Sequence, residues 1–156
     1  MAAGVSSRMK KSSSSQNMSK TQLDQSNKRM KGFIQVGEGM EPLIYYIIKN
    51  AISAEINNFY IIISDDSKDF QEYLKSLENK LGIYLKFAFQ DFYGQEKPSG
   101  TSDAIFQTMN QYKELMKTRF LVCNCDNLYS SKAMELLKRY KKYNKIIEYV
   151  YDCLFL

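Results

Sequence analysis

The chain has 156 residues, 44% hydrophobic and 25% charged, which are the proportions of an ordinary globular protein and the size of one domain. It contains neither histidine nor tryptophan, so a mechanism needing an imidazole base, nucleophile or metal ligand is excluded for this chain acting alone. Three cysteines, Cys123, Cys125 and Cys153, make no disulfide framework and no zinc ligand set; they read as core thiols of a reducing, cytoplasmic compartment. No run approaches the roughly 18 consecutive apolar residues of a membrane span, and the opening Met-Ala-Ala-Gly-Val is too short for a signal-peptide core.

Charge is placed very unevenly. Residues 1–31 hold seven Lys or Arg against the single acid Asp24, a net +6, whereas the remainder carries 15 bases against 16 acids. The same segment has eight serines and no aromatic residue, so it has little to bury and is expected to run on the surface as a loop. A phosphate-binding loop, a nucleic-acid arm and a solvated tail are all compatible with that composition.

Beyond the loop, Pro42 suits a first helical turn, and Leu43, Ile44, Ile47, Ile48, Ala51 and Ile52 recur at helical spacing, which predicts a core-facing helix. Phe59 to Ile63 form a short continuous apolar run ending at Ser64-Asp65-Asp66, the pattern of a strand buried on both faces. A second helix is expected through Phe70, Tyr73, Leu74, Leu77 and Leu81, closed by Gly82 in the left-handed cap position. Ile83, Leu85, Phe87 and Phe89 alternate with Tyr84, Lys86, Ala88 and Gln90, which predicts a strand that is half buried or lies nearer a sheet edge.

A loop with Gly94, Pro98 and Gly100 leads to a helix that Thr101 or Ser102 can cap, with Ile105, Met109, Tyr112 and Met116 on one stripe. Phe120, Leu121, Val122 and Cys123 read as another buried strand. Residues 130–143 read as a serine-capped helix carrying Ala133, Met134, Leu136, Leu137 and Tyr140 inward, with a basic end from Lys138 to Lys142. Residues 146–156 read as a last strand. The alternation of helix and strand predicts an α/β fold, a Rossmann-like three-layer sandwich with a mostly parallel sheet and right-handed crossovers. The glycine loop begins at Met1 with no strand before it, and the chain stops in the apolar Cys153-Leu154-Phe155-Leu156, so the sandwich is expected to be incomplete, cut at both ends. The expected organisation is a basic, Ser-rich loop over 1–31 and a partial α/β domain over 32–156.

Four segments carry candidate chemistry. Ala2-Ala3-Gly4-Val5-Ser6-Ser7-Arg8-Met9 puts glycine and small residues where a backbone must approach an anion, with Arg8 able to fork onto phosphate oxygens. Lys31-Gly32-Phe33-Ile34-Gln35-Val36-Gly37 is followed by Glu41-Pro42-Leu43-Ile44. Pro98-Ser99-Gly100-Thr101-Ser102-Asp103-Ala104-Ile105 precedes a helix start, where Gly100 permits a flat base to approach the backbone. Cys123-Asn124-Cys125-Asp126-Asn127-Leu128-Tyr129 sets the carboxylate of Asp126 just after a buried run, at the strand end where open α/β sheets place their ligand crevice. A hard carboxylate there suits magnesium, which takes one or two acids plus substrate phosphates and keeps several waters.

In that order these segments resemble the nucleotidyltransferase superfamily that activates sugar phosphates. Its patterns read Leu-Ala-Ala-Gly-x-Gly-Ser-Arg-Met, Lys-Ala-Leu-x-x-Val-Gly-Gly-Lys-Pro-Leu-Ile, Pro-x-Gly-Thr-Ala-Asp-Ala-Leu and Leu-Asn-Gly-Asp-Asn-Leu-Tyr. Ser6 stands at the second glycine of the first pattern, Glu41 at the second lysine of the next, and Cys125 at the glycine of the last. The resemblance implies that Ala3, Gly4, Ser6 and Ser7 bind the triphosphate and that Arg8 and Lys31 neutralise it. It implies further that 1–31 is a phosphate-binding loop and 32–156 a partial nucleotide-binding domain, that Gly100 and Thr101 seat the nucleobase, and that Asp126 holds Mg2+. Gln90, just after its strand, is the side chain expected to read the base edge, with Gln95 as the alternative.

The implied reaction is magnesium-dependent transfer of a nucleotide from a nucleoside triphosphate to a sugar phosphate or similar phosphate acceptor, in nucleotide-sugar biosynthesis. Alignment and charge neutralisation carry such a reaction, which suits a chain without histidine. Two readings stand beside it. One is a truncated, non-catalytic nucleotide-binding or interaction domain; the other is a nucleic-acid binder using the basic arm, ranked last because that arm has no interleaved aromatic residues. No membrane partner is expected.

Overall fold

The computed structural model describes residues 31–63 and 68–139. A 3-10 turn, Lys31–Phe33, opens onto two short antiparallel strands, β1 (Gln35–Val36) and β2 (Glu41–Pro42), folded about residues 37–40. Helix α1 (Leu43–Ser53), β3 (Asn58–Ile63), α2 (Lys68–Leu81) and β4 (Tyr84–Phe89) follow, then α3 (Thr101–Gln111), a 3-10 turn (Lys113–Met116) and α4 (Ser131–Arg139). The molecule is α/β, with one parallel pair: β3 and β4 run side by side in register from Asn58 opposite Tyr84 to Ile63 opposite Phe89. Parallel strands cannot be joined by a tight turn, and α2 supplies the crossover between them.

The β3–β4 pair buries side chains on both faces. Phe59, Ile61 and Ile63 point into a cluster with Ile44, Ile47, Ile48 and Ala51 of α1, Phe70, Leu74 and Leu77 of α2, and Met134 of α4. Ile62 and Ala88 point the other way, against Ala104 of α3 and Leu115. Ala88 and Ala104 are both fully buried, so small side chains let α3 lie close on β4. The expected helix faces of α1 and α2 are the ones observed, with Leu43, Ile52, Tyr73 and Leu81 partly buried at their margins. Gly82 ends α2 with φ +64°, as its position predicts.

α1 ends differently. Glu55 takes the left-handed conformation at φ +58°, and the amides of Glu55 and Ile56 return to Ile52 O and Ala51 O in a Schellman arrangement. Lys138 of α4 then donates to Ala54 O at 3.1 Å, to Glu55 O at 3.3 Å and to the Glu55 carboxylate at 2.7 Å, so a cation from one helix completes the carbonyl end of another.

Several expectations are corrected. On β4, Phe89 is exposed while Ala88 and Gln90 are buried, because α3 covers the face that alternation assigned to solvent. The α3 stripe keeps Ile105, Met109 and Tyr112 against the second cluster but leaves Met116 exposed, since the chain breaks into the 3-10 turn before reaching it. Gly100, and neither Thr101 nor Ser102, holds the N-cap position of α3, with no side-chain cap bond. In α4 Met134 is buried but Leu136 and Leu137 are exposed, and Tyr140 lies outside the described residues. Ser130 does cap that helix, its hydroxyl accepting the Ala133 amide at 3.1 Å.

Residues 120–123 alternate as a strand would, Leu121 and Cys123 toward the first cluster and Phe120 and Val122 toward the second. Yet they join no ladder among the described residues. Apolar patterning decides which faces are buried, whereas a ladder also requires a strand alongside at about 4.8 Å. The strand expected over 146–156 lies outside the described residues. Cys123 and Cys125 are buried, as core cysteines should be.

Candidate functional site

The parallel pair ends at Ile63 and Phe89, and the ladder continues one step through the Gln90 amide, which donates to Ile63 O at 3.2 Å. Gln90 therefore stands at the carboxyl end of β4, on the rim where parallel sheets gather ligand-binding residues. Its side chain is 6% exposed. The Nε2 group donates to Asp103 Oδ2 at 3.0 Å and to Gly100 O at 3.4 Å. Gly100 has φ +109° and ψ −175°, a conformation essentially reserved for glycine, and Thr101 begins α3 directly behind it. Thus Gln90, ten residues ahead of Gly100, is brought back to the Gly100–Thr101 start of α3.

Two residues that sequence reasoning did not assign to a site hold this cluster. Asp103 Oδ2 also accepts Gln107 Nε2 at 2.8 Å, and Gln107 clasps the backbone of Asp91, accepting its amide at 2.7 Å and donating to its carbonyl at 2.9 Å. Gln107 is 8% exposed. Its signal in the sequence is the Asp–Gln spacing of four on one helix face, a pair that hydrogen-bonds readily. The loop beyond is tightened by Asp91 Oδ1, which accepts the Tyr93 amide at 2.8 Å while Tyr93 adopts φ +51°.

A second meeting point joins the segment beginning at Lys31 to the one carrying Asp126. Gly32 lies so close to Cys125 that a Cβ on Gly32 would stand 2.9 Å from Cys125 Cβ and 3.1 Å from its Sγ. Lys31 and Asp126 each adjoin one side of that contact in sequence. Asp126 sits in an exposed turn, and burial pushes the neighbouring Cys125 thiol up from its ordinary range. Two bonds anchor the flanks: Asn50 of α1 donates to Tyr129 O at 2.8 Å, and the Phe33 ring packs edge-on to Phe70 at 5.5 Å. Ala3, Gly4, Ser6, Ser7 and Arg8 lie outside the described residues.

Glu41, in place of the pattern's second lysine, is engaged by α2. Its carboxylate accepts the Tyr73 hydroxyl at 3.0 Å and Lys80 Nζ at 3.4 Å, joining β2 to α2. Burial, and then this carboxylate beside the hydroxyl, raise the Tyr73 pKa well above the usual tyrosine range.

Among the described residues no three of Cys, Asp and Glu gather as a metal-binding group. A magnesium ion requires less of the protein: a single exposed carboxylate, with substrate phosphates and water filling the remaining positions, matches its hard-oxygen, hydrated coordination. The Asp126 turn is compatible with that demand. No helix among the described residues is long and apolar enough to cross a membrane.

An α/β domain whose polar side chains and glycine backbone converge at the carboxyl end of a parallel pair belongs to the ligand-binding class of such folds. Within that class the affiliation is specific: the family model for nucleotidyl transferase matches residues 23–152, most of the chain, and the chain belongs to that family. The family's business is nucleotide binding and nucleotidyl transfer from nucleoside triphosphates, commonly with divalent metal ions. No curated protein gives a significant match.

Proposed function

We propose that this chain catalyses magnesium-dependent nucleotidyl transfer from a nucleoside triphosphate to a sugar phosphate or similar phosphate acceptor. An acceptor phosphate oxygen attacks the α-phosphorus, the bond from that phosphorus to the bridging oxygen breaks, and pyrophosphate leaves. The observation that carries the reading is the convergence of Gln90, Gly100 and Thr101 on one helix start, in a chain of the nucleotidyl transferase family. Gln90 reads the edge of the base while Gly100 and Thr101 offer backbone to its flank. Residues 1–31 form the phosphate-binding loop, where Ala3, Gly4, Ser6 and Ser7 present amides and Arg8 and Lys31 neutralise the triphosphate.

Asp126 and the triphosphate oxygens would hold Mg2+, which supplies charge neutralisation as the pyrophosphate departs. The protein's own work is alignment, and no covalent enzyme intermediate is required. Residues 32–156 then form the nucleotide-binding domain, read as a Rossmann-like three-layer sandwich around the β3–β4 pair. A cytoplasmic setting, in nucleotide-sugar biosynthesis, fits the triphosphate substrate.

Thermal shift with each of the four nucleoside triphosphates, with and without Mg2+, tests the proposal on the full chain. Stabilisation by one triphosphate that needs Mg2+ and is reduced in both Asp126→Ala and Arg8→Ala is expected, together with pyrophosphate release when a sugar phosphate is added. A cooperative melt that no triphosphate moves would sink the reading.

A further inference from the structure

The side chain of Gln90 is fixed in one orientation by a relay that starts at backbone. A backbone N–H can only donate and a carbonyl can only accept, so the Asp91 amide and carbonyl compel Gln107 to turn Oε1 to the first and Nε2 to the second. Gln107 Nε2 thereby also faces Asp103 Oδ2, at 2.8 Å. That carboxylate oxygen accepts from Gln90 Nε2 as well, at 3.0 Å, and the Gly100 carbonyl stands 3.4 Å from the same nitrogen. Turning the Gln90 amide over would set its Oε1 against a carboxylate and a carbonyl at once. Both hydrogens of Nε2 are therefore committed, and Oε1 is the atom left over. It is buried and has no hydrogen-bond partner among the described residues. A buried acceptor without a donor is costly, which makes it the place where a ligand N–H gains most.

We infer that Asp103 and Gln107 are positioning residues that make Gln90 a hydrogen-bond acceptor only, so that the site selects a nucleobase by an N–H donor on its edge. This rests on the nucleotide reading above and adds to it the polarity of base selection. A ring imino or exocyclic amino group satisfies Gln90 Oε1, and a base offering only a ring nitrogen or carbonyl acceptor at that point leaves two buried acceptors facing each other. Sites built on a buried hydrogen bond discriminate steeply against ligands that cannot complete it.

The experiment has two arms on the full chain. In the nucleotide-free protein, amide exchange by NMR is expected to show the two Nε2 protons of Gln90 protected in the unsubstituted chain and in Asp103→Asn, which can keep an oxygen in the same place. They should exchange rapidly in Asp103→Ala. In the second arm, calorimetric titration with each of the four triphosphates in the presence of Mg2+ should give at least about tenfold discrimination between tightest and weakest for the unsubstituted chain and Asp103→Asn. For Asp103→Ala the ratio should collapse to below about threefold, because the amide is then free to turn. Asp103→Ser, too short to reach Gln90, serves if the alanine variant loses its cooperative melt.

A merely structural Asp103 would lower the melting temperature and leave the ratio unchanged. Triphosphate binding with an unchanged ratio, or rapid exchange of the Gln90 protons in the unsubstituted chain, overturns this inference alone. Failure of every triphosphate to bind, with those protons still protected, overturns the nucleotide reading and the inference built on it.

Discussion

At the scale of single residues, the contact between Gly32 and Cys125 shows how side-chain volume is shared between two segments distant in sequence. The resembling patterns place alanine where Gly32 stands and glycine where Cys125 stands, so the methyl-sized volume lies on opposite sides of the same contact. A Cβ on Gly32 would meet Cys125 Cβ at 2.9 Å, closer than real side chains approach. Gly32→Ala, which by backbone entropy alone would stabilise slightly, is therefore expected to cost about 1–3 kcal/mol through overpacking. In the Cys125→Gly background the same substitution should cost at least about 1 kcal/mol less. Urea denaturation of the four proteins in this cycle measures the coupling; equal costs in both backgrounds would show that the contact is not close. Glu41 makes a related point, since the acid that stands at the pattern's basic position meets the Tyr73 hydroxyl and Lys80 of α2.

At the scale of elements, the segment from Cys123 to Ser130 joins no ladder among the described residues and is held there by side chains. Cys123 and Cys125 bury into the first cluster, and Asn50 reaches across from α1 to the Tyr129 carbonyl at 2.8 Å. Removing that bond with Asn50→Ala is expected to destabilise the fold by only about 1 kcal/mol. Local opening is expected to show it more sharply: amides of residues 126–130 should exchange hydrogen faster, with those of β3 little affected. Uniform acceleration across β3 and the turn would mean that the segment has no independent stability. The same dependence on distant partners shows at the start of α3, where Gly100 caps without a side chain, its carbonyl accepts from Gln90, and the first-turn carboxylate of Asp103 accepts from Gln90 and Gln107.

At the scale of the whole molecule, the second face of the sheet is latched by charge. Glu114, on the turn after α3, accepts Lys86 Nζ at 2.6 Å and the Tyr60 hydroxyl at 3.0 Å, while Lys86 also lies over the Tyr60 and Tyr112 rings at 5.2 Å. The Lys86 hydrogen bond, then its own backbone amide and the Tyr60 hydroxyl, hold the Glu114 carboxyl down at about 2 against an ordinary 4.5. A carboxyl held low in the folded state binds its proton more readily when unfolded, so its contribution is complete above pH 4.5 and is lost as pH falls from there toward 2. Glu114→Gln should accordingly flatten the fall in melting temperature across that window and leave the neutral-pH slope unchanged. The pair is half exposed and salt-screened, so the difference should shrink in 1 M salt. An identical acid limb in the two proteins would remove the latch from the account of acid stability.

Sequence by itself determined the elements whose periodicity one face controls: α1 through Ile44, Ile47, Ile48 and Ala51, α2 through Phe70, Leu74 and Leu77, the continuous run of β3, and the Gly82 stop. Each is decided by side chains a few residues apart, and burial rewards the same spacing wherever the element docks. Sequence also pointed to Gln90 and Gly100 separately. Only tertiary structure decided that α3 covers the Ala88 face of β4, that Phe89 and Met116 stay in water, and that residues 120–123 pack against both clusters while joining no ladder among the described residues. These outcomes depend on which element arrives from elsewhere in the chain. The relay from Asp91 through Gln107 and Asp103 to Gln90 belongs to this second kind, because hydrogen-bond polarity is fixed only when all four groups are brought within about 3 Å of one another.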